Sequence, residues 1–177
     1  RRLLVAQLRE AALPVDLFLQ GLPDITRVPG TAVFLTSDSE SAPTALLHSL
    51  KHYKVLHERN VILTVKGATV PVVEEQRRLK IEQLSDRFWR IEASFGFMEN
   101  PNVPAMLLSI PKSEMSFSMM DTSFFLSRRS VRASKYQGMP VWQDKLFIMM
   151  AKNANDASSY FRLPPGRVIE VGSQVTV

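Results

Sequence analysis

The stretch at residues 29–65, PGTAVFLTSDSESAPTALLHSLKHYKVLHERNVILTV, constrains this chain most, because its hydrophobic period changes twice within one short span. Residues 32–36 form a brief apolar run closed by Thr36-Ser37-Asp38, the pattern of a buried strand. A helix is predicted next. Ser41 can cap it, Pro43 suits its first turn, and Leu46, Leu47, Leu50 and Tyr53 recur at helical steps on one face. His48, Lys51, His52 and Lys54 fall mostly on the wetter side. Residues 61–65 are apolar and β-branched again, so the crossover predicts a second strand parallel to the first, one βαβ unit.

The flanking sequence adds elements to that unit. Pro23, Pro29 and Gly30 read as a linker before it, and residues 66–76 read as a surface connection after it. Residues 79–84 and 88–95 then alternate around Ser85-Asp86, the spacing of an antiparallel hairpin with a two-residue loop, and Gly96 can end its second strand. A short helix is predicted over 103–110 with Pro104 in its first turn, a strand over 120–127, and a basic loop over 128–138. The longest helical pattern covers 140–161, with Trp142, Leu146, Met149, Met150, Ala154, Ala157 and Phe161 on one face; its methionines are gap-filling core. Residues 167–177 finish as a strand or as two short ones around Gly172-Ser173. The expected fold is therefore α/β: a mixed sheet with a βαβ unit and an antiparallel hairpin, helices packed on the sheet. Phe34, Leu50, Ile62, Phe125, Leu146 and Val168 are the expected core.

Composition narrows the function. With 177 residues, 45% of them hydrophobic, the chain suits one globular domain with a sizeable core. It contains no Cys, which excludes disulfides and zinc-thiolate sites and makes a reducing compartment the simpler assumption. No apolar stretch approaches the roughly eighteen residues that span a bilayer. The net charge of +5 is scattered, apart from Arg128, Arg129, Arg132 and Lys135, and no basic stripe alternates with aromatics, so no nucleic-acid partner is predicted. Residues 1–13 place Leu3, Leu4, Leu8, Ala11 and Ala12 opposite Arg2, Arg9 and Glu10, an amphipathic helix interrupted by Pro14. Such a helix ordinarily packs on its own core. An Arg-Arg pair ahead of an apolar-faced helix also suits the cytoplasmic end of a membrane span, where basic residues accumulate.

Chemistry-bearing patterns are sparse. His48 and His52 lie one helical turn apart with His57 nearby, but HExxH is absent and surface or capping roles explain them, so no metal is predicted. The turn at Thr36, Ser37, Asp38 and Ser39 lies between a strand's carboxyl end and a helix start, where open α/β sheets bind phosphates; these are the candidate residues for a regulatory ligand. Against that, the turn has no glycine and matches neither GxGxxG nor GxxxxGK[ST], and helix capping accounts for its residue types. There is no GxSxG elbow and no close acidic pair in an apolar setting, so neither catalysis nor a cofactor is predicted.

PGTAVFLTS (29–37), LLHSLKHYKVLHERNVILTV (46–65), FGFMENPNVPAML (95–107), MDTSFFLSR (120–128) and FRLPPGRVIEVGSQV (161–175) resemble, in order, blocks of the carboxyl-terminal cytosolic region of the Kup (HAK/KUP/KT) potassium transporters. The chain departs from the family in having Arg129 where an acidic residue usually follows MDTSFFLSR. The resemblance implies a regulatory or assembly domain of a proton-coupled potassium importer, on the cytoplasmic face of a bacterial plasma membrane. It implies residues 1–28 as an amphipathic linker helix after the last membrane span and 29–177 as the cytosolic α/β domain. Implied partners are the transmembrane part of the same transporter and a second copy in a homodimer. A regulatory nucleotide, an adenine nucleotide or cyclic di-AMP, is the alternative reading. The family's ion-binding residues have no counterpart here.

Overall fold

The computed structural model describes residues 13–22, 25–132 and 157–176. Among these, six strands form one sheet in the order β3-β4-β2-β1-β5-β6. They are β1 Thr26–Thr36, β2 Val55–Gly67, β3 Leu79–Ser85, β4 Phe88–Phe95, β5 Thr122–Arg132 and β6 Val168–Thr176. Of the six, β3 runs antiparallel to its neighbour; the other pairings are parallel, so the mixed sheet expected from the sequence is present. The helices are α1 Val15–Gln20, α2 Thr44–Tyr53, α3 Glu75–Arg78, α4 Val103–Ser109 and α5 Ala157–Tyr160.

Period-two alternation sends the strands' side chains to two faces, and both faces are covered. Ala32, Phe34, Leu56, Phe88 and Phe125 pack with Phe18 of α1 and with Ala45 and Leu46 of α2 on one face. Val33, Leu63, Ile91, Phe124 and Leu126 pack with Val103, Met106 and Leu107 of α4 on the other, joined by Leu163. α2 leads from β1 to β2 on one face while α4 leads from β4 to β5 on the other. Leaving out β3, the parallel strands are wound outward from β1 in both directions, as in doubly wound α/β sheets.

Several local expectations are corrected. Pro29 and Gly30 are not linker but part of β1, where an extra residue between Val28 and Thr31 shifts the register against β2. A central strand tolerates Pro only at such a bulge. Gly30 is required there twice over: its φ is 102°, and a Cβ would lie 2.6 Å from the Asp121 carbonyl oxygen. Ser41 does not cap α2. Its hydroxyl donates to Asp38 Oδ2 at 2.7 Å, and Pro43 stands at the cap position instead of in the first turn. Tyr53 is exposed, while Ser49 and Ala45 are buried, because the buried face of α2 is rotated toward its small residues. Leu50 and Val168 are half-buried at the borders of the core, whereas Phe34, Ile62 and Phe125 lie within it.

The hairpin is present with its loop one residue later, at Asp86-Arg87, because Ser85 pairs with Phe88 across a register shift. α4 forms as expected, with the Asn102 side chain accepting from the Ala105 N–H at 3.0 Å. Residues 66–76 are more than a surface connection, since β2 runs on to Gly67 and Val73 is buried. Residues 128–132 are strand, not loop, and β6 is one continuous strand. Arg128 Nη1 donates to Glu170 on β6 at 3.2 Å. Residues 1–12, 133–138 and most of the predicted 140–161 helix, including Leu146, lie outside the described residues; α5 is the part of that helix that is described.

Candidate functional site

The order of the parallel strands reverses at β1, which has β2 on one side and β5 on the other. In open α/β sheets the carboxyl edge at such a reversal forms a crevice, because the crossovers leave it on opposite faces. This protein has one, of about 440 Å³, lined by Thr36, Ser37 and Thr44 with Ser127 and, on its apolar side, Leu126 and Phe161. Two of the four residues singled out in the sequence, Thr36 and Ser37, therefore border a real cavity.

The turn above it is tied internally. Thr36 Oγ1 donates to the Asp38 carbonyl oxygen at 3.1 Å and accepts from the Asp38 N–H at 3.2 Å. Asp38 Oδ1 accepts from the Glu40 N–H at 3.0 Å, and Oδ2 accepts from Ser41. Ser39 points elsewhere: it is buried, and its hydroxyl donates to Glu92 Oε1 at 2.7 Å. Asp38 is thus the organiser of the turn, and Ser37, which is exposed, remains beside the crevice with Thr44 at the helix start.

Sequence reasoning missed what lies across the sheet from this turn. The strand registers align Thr36, Thr64 and Glu92 in one row at the carboxyl edge. Lys66 Nζ lies 2.9 Å from Glu92 Oε1, and the Ser39 hydroxyl followed by Lys66 holds the Glu92 carboxyl below the usual range. Thr64 Oγ1 is buried in that row with no hydrogen-bond partner among the described residues. A polar residue inside the apolar 61–65 run was the available signal, but nothing local identifies its neighbours.

A second polar centre was equally invisible. The Glu99 carboxylate accepts from the Gly96 N–H at 2.7 Å, the Val73 N–H at 3.0 Å and Arg78 Nη2 at 2.6 Å. Those two amides, and then Arg78, hold Glu99 below the usual carboxylate range. The Arg78 guanidinium also lies 5.2 Å from the centre of the Phe95 ring.

The histidines make no centre. His48 and His52 stack at 6.0 Å, His57 meets the edge of the Phe125 ring, and burial lowers the His57 pKa. Among the described residues no three potential ligands cluster as a metal site would require, and no helix is long and apolar enough to cross a membrane.

Sheet order, helices on both faces and a crevice at the strand reversal define a doubly wound α/β domain. Residues 29–177 match the family described as the K+ potassium transporter C-terminal domain, and the chain belongs to that family. Among curated relatives, a probable potassium transport system protein Kup of Brucella anthropi is 53% identical over 171 residues, covering 96% of this chain and 26% of the relative. Kup 3 of a Bradyrhizobium species is 58% identical over 151 residues, 85% of this chain and 24% of the relative. Kup 2 of Mesorhizobium japonicum is 53% identical over 180 residues, 99% of this chain and 28% of the relative. The chain thus spans about a quarter of the length of these relatives, whose names are those of transport proteins. No solved structure matches it significantly.

Proposed function

We propose that this chain is the regulatory and assembly domain of a proton-coupled potassium uptake transporter, held on the cytoplasmic face of a bacterial plasma membrane. The observation that carries the reading is the family match over 29–177 in relatives about four times as long, named as potassium transport proteins. In it, the part of the 1–28 segment that precedes α1 connects the last membrane span to the α/β domain, on whose core α1 already packs, and two domains pair as a homodimer. The domain transports nothing itself, since conduction needs a membrane-spanning path lined by ligands and no described helix is long and apolar enough to cross a bilayer. Removing the domain from the full transporter is expected to reduce or deregulate potassium uptake in cells that depend on it. Normal uptake with normal control, at normal abundance, would defeat the proposal.

A second reading, nucleotide sensing, draws support from the crevice at the strand reversal. Thr44 at the α2 start and Ser37 would face a phosphate, and Asp38, already bonded within its turn, would stay off it. Calorimetric titration with ATP, AMP and cyclic di-AMP tests this against the scaffold reading. Binding that Ser37→Glu leaves unchanged would exclude this crevice, because added negative charge repels phosphate; no binding would leave docking and assembly alone.

A further inference from the structure

The loops after β2 and β4 leave the carboxyl edge of the sheet side by side. The Ala68 N–H donates to the Phe95 carbonyl at 2.7 Å, the Phe97 N–H to Val70 at 3.0 Å and the Met98 N–H to Pro71 at 3.0 Å. On this double loop Val70 is 46% exposed, Val72 61%, Phe97 67% and Met98 72%. Four apolar side chains gathered in water call for a partner, whereas single exposed ones do not. Nor is the presentation loose, because the loops are riveted from beneath by the Glu99 carboxylate, the Arg78 guanidinium and the buried Val73 side chain.

We propose that Val70, Val72, Phe97 and Met98 form the surface by which this domain docks on the membrane-embedded part of the same transporter chain. The inference rests on the reading of the chain as a transporter's C-terminal domain, and it adds the place of contact. Its first argument is the route of the chain. The Ala42 N–H donates to the Leu13 carbonyl at 2.8 Å and the Val15 N–H to the Glu40 carbonyl at 3.0 Å. Leu13, where the described chain begins, therefore lies beside the loop after β1, on the same carboxyl edge. Only β2 separates β1 from β4, so the apolar double loop stands about 10 Å along that edge, two strand spacings away. If, as that reading has it, the membrane part precedes this domain, this edge is the one nearest to where that part is joined.

Charge selects protein over lipid as the occupant. An anionic bilayer surface recruits basic side chains around an apolar wedge. Here the neighbouring basic residues already have carboxylate partners: Lys66 with Glu92 at 2.9 Å, Arg77 with Glu74 at 3.9 Å and Arg78 with Glu99 at 2.6 Å. What remains is apolar surface with neutralised flanks, which suits the exposed end of a helical bundle.

Site-specific photo-cross-linking in the full transporter, in its native membrane, tests the surface. p-Benzoylphenylalanine replaces Phe97, or Met98 in a second preparation, and cross-linked peptides are identified by mass spectrometry. Tyr53, equally exposed at 66% on the far end of α2, is the control. The expected result is a cross-link from both loop positions to peptides that precede this domain in the transporter, and none above background from Tyr53. Cross-links only to a second copy of the domain, lipid adducts only, no adduct, or equal yield from Tyr53 would each overturn the proposal. A transporter whose uptake still responds to removal of the domain, but whose loop positions fail to cross-link, would keep the regulatory reading and lose only this surface.

Discussion

Replacing Gly96 with Ala is expected to destabilise the domain by about 3 kcal/mol or more, above most overpacking substitutions. A Cβ at Gly96 would lie 2.1 Å from the Pro71 carbonyl oxygen, 2.4 Å from its carbon and 2.7 Å from the Val70 carbonyl oxygen. All three are backbone atoms, so no side chain can swing aside to relieve the clash. They are also pinned, since Val70 and Pro71 accept from Phe97 and Met98, and Glu99 accepts from Val73 and Gly96 itself. Relief must come from parting the two loops, which abandons those hydrogen bonds together. Urea melts of the variant against Gly67→Ala, where an added Cβ meets nothing within 4 Å, separate this clash from a general cost of losing glycine. Equal midpoints for the two variants would show that the loops do not pack this way. The same knot gives stability a pH dependence. Glu99 has its carboxyl pKa lowered in the folded state, so its contribution is present above the ordinary value of 4.5 and is lost as pH falls through the folded value. Melting temperatures recorded downward from pH 7 should fall less steeply for Glu99→Gln than for the parent; parallel curves would contradict the assignment.

Where each local rule succeeded or failed has a physical cause. The βαβ unit was legible because residues 32–36 and 61–65 are apolar on both faces, as strands covered from both sides must be, and because α2 carries its own period. Pro29-Gly30 misled because the pair is ordinary turn punctuation, and only the pairing of β1 with β2, with its register shift between Val28 and Thr31, makes it a bulge within a strand. Ser41 misled because α2 starts two residues later than a Ser41 cap requires, with Pro43 at the cap position, while the Ser41 hydroxyl donates to Asp38 Oδ2. The candidate ligand turn was located by topology, which a sequence carries in the order of its elements. Its inner partners were not. Glu92 and Ser39 are 53 residues apart, joined only when β4 takes its place beside β2, and Arg78 and Glu99 are 21 apart, joined when β3 pairs with β4. Nor could the sequence distinguish Phe97 and Met98 from core residues, because exposure at a loop tip leaves no periodic mark. Composition counted them among the apolar residues, and only the fold shows them in water.

Truncating Phe125 to Ala is expected to cost about 3 to 5 kcal/mol, the range of buried Phe→Ala changes. Phe125 lies on β5, is 3% exposed and stacks on Phe34 of β1 at 4.8 Å with planes 25° apart. The strands hold the two residues directly opposite each other, so neither ring can follow the other into a vacated space without shifting the β1–β5 register. His57 of β2 meets the same ring edge-on at 5.9 Å, which limits collapse from the β2 side. A cavity is therefore left, and its cost adds to the lost transfer of the ring from water. Phe34→Ala should behave alike, and the double variant should fall short of the sum of the two by about 0.5 to 1.5 kcal/mol, the worth of an aromatic pair. Tyr160→Ala, a large ring that is 57% exposed, is the comparison and should stay within about 0.5 kcal/mol of the parent. Chemical denaturation of the four variants beside the parent decides the matter. If Phe125→Ala melts with Tyr160→Ala, then β1 and β5 are not the packed centre of this sheet, and the crevice between their carboxyl ends loses its floor.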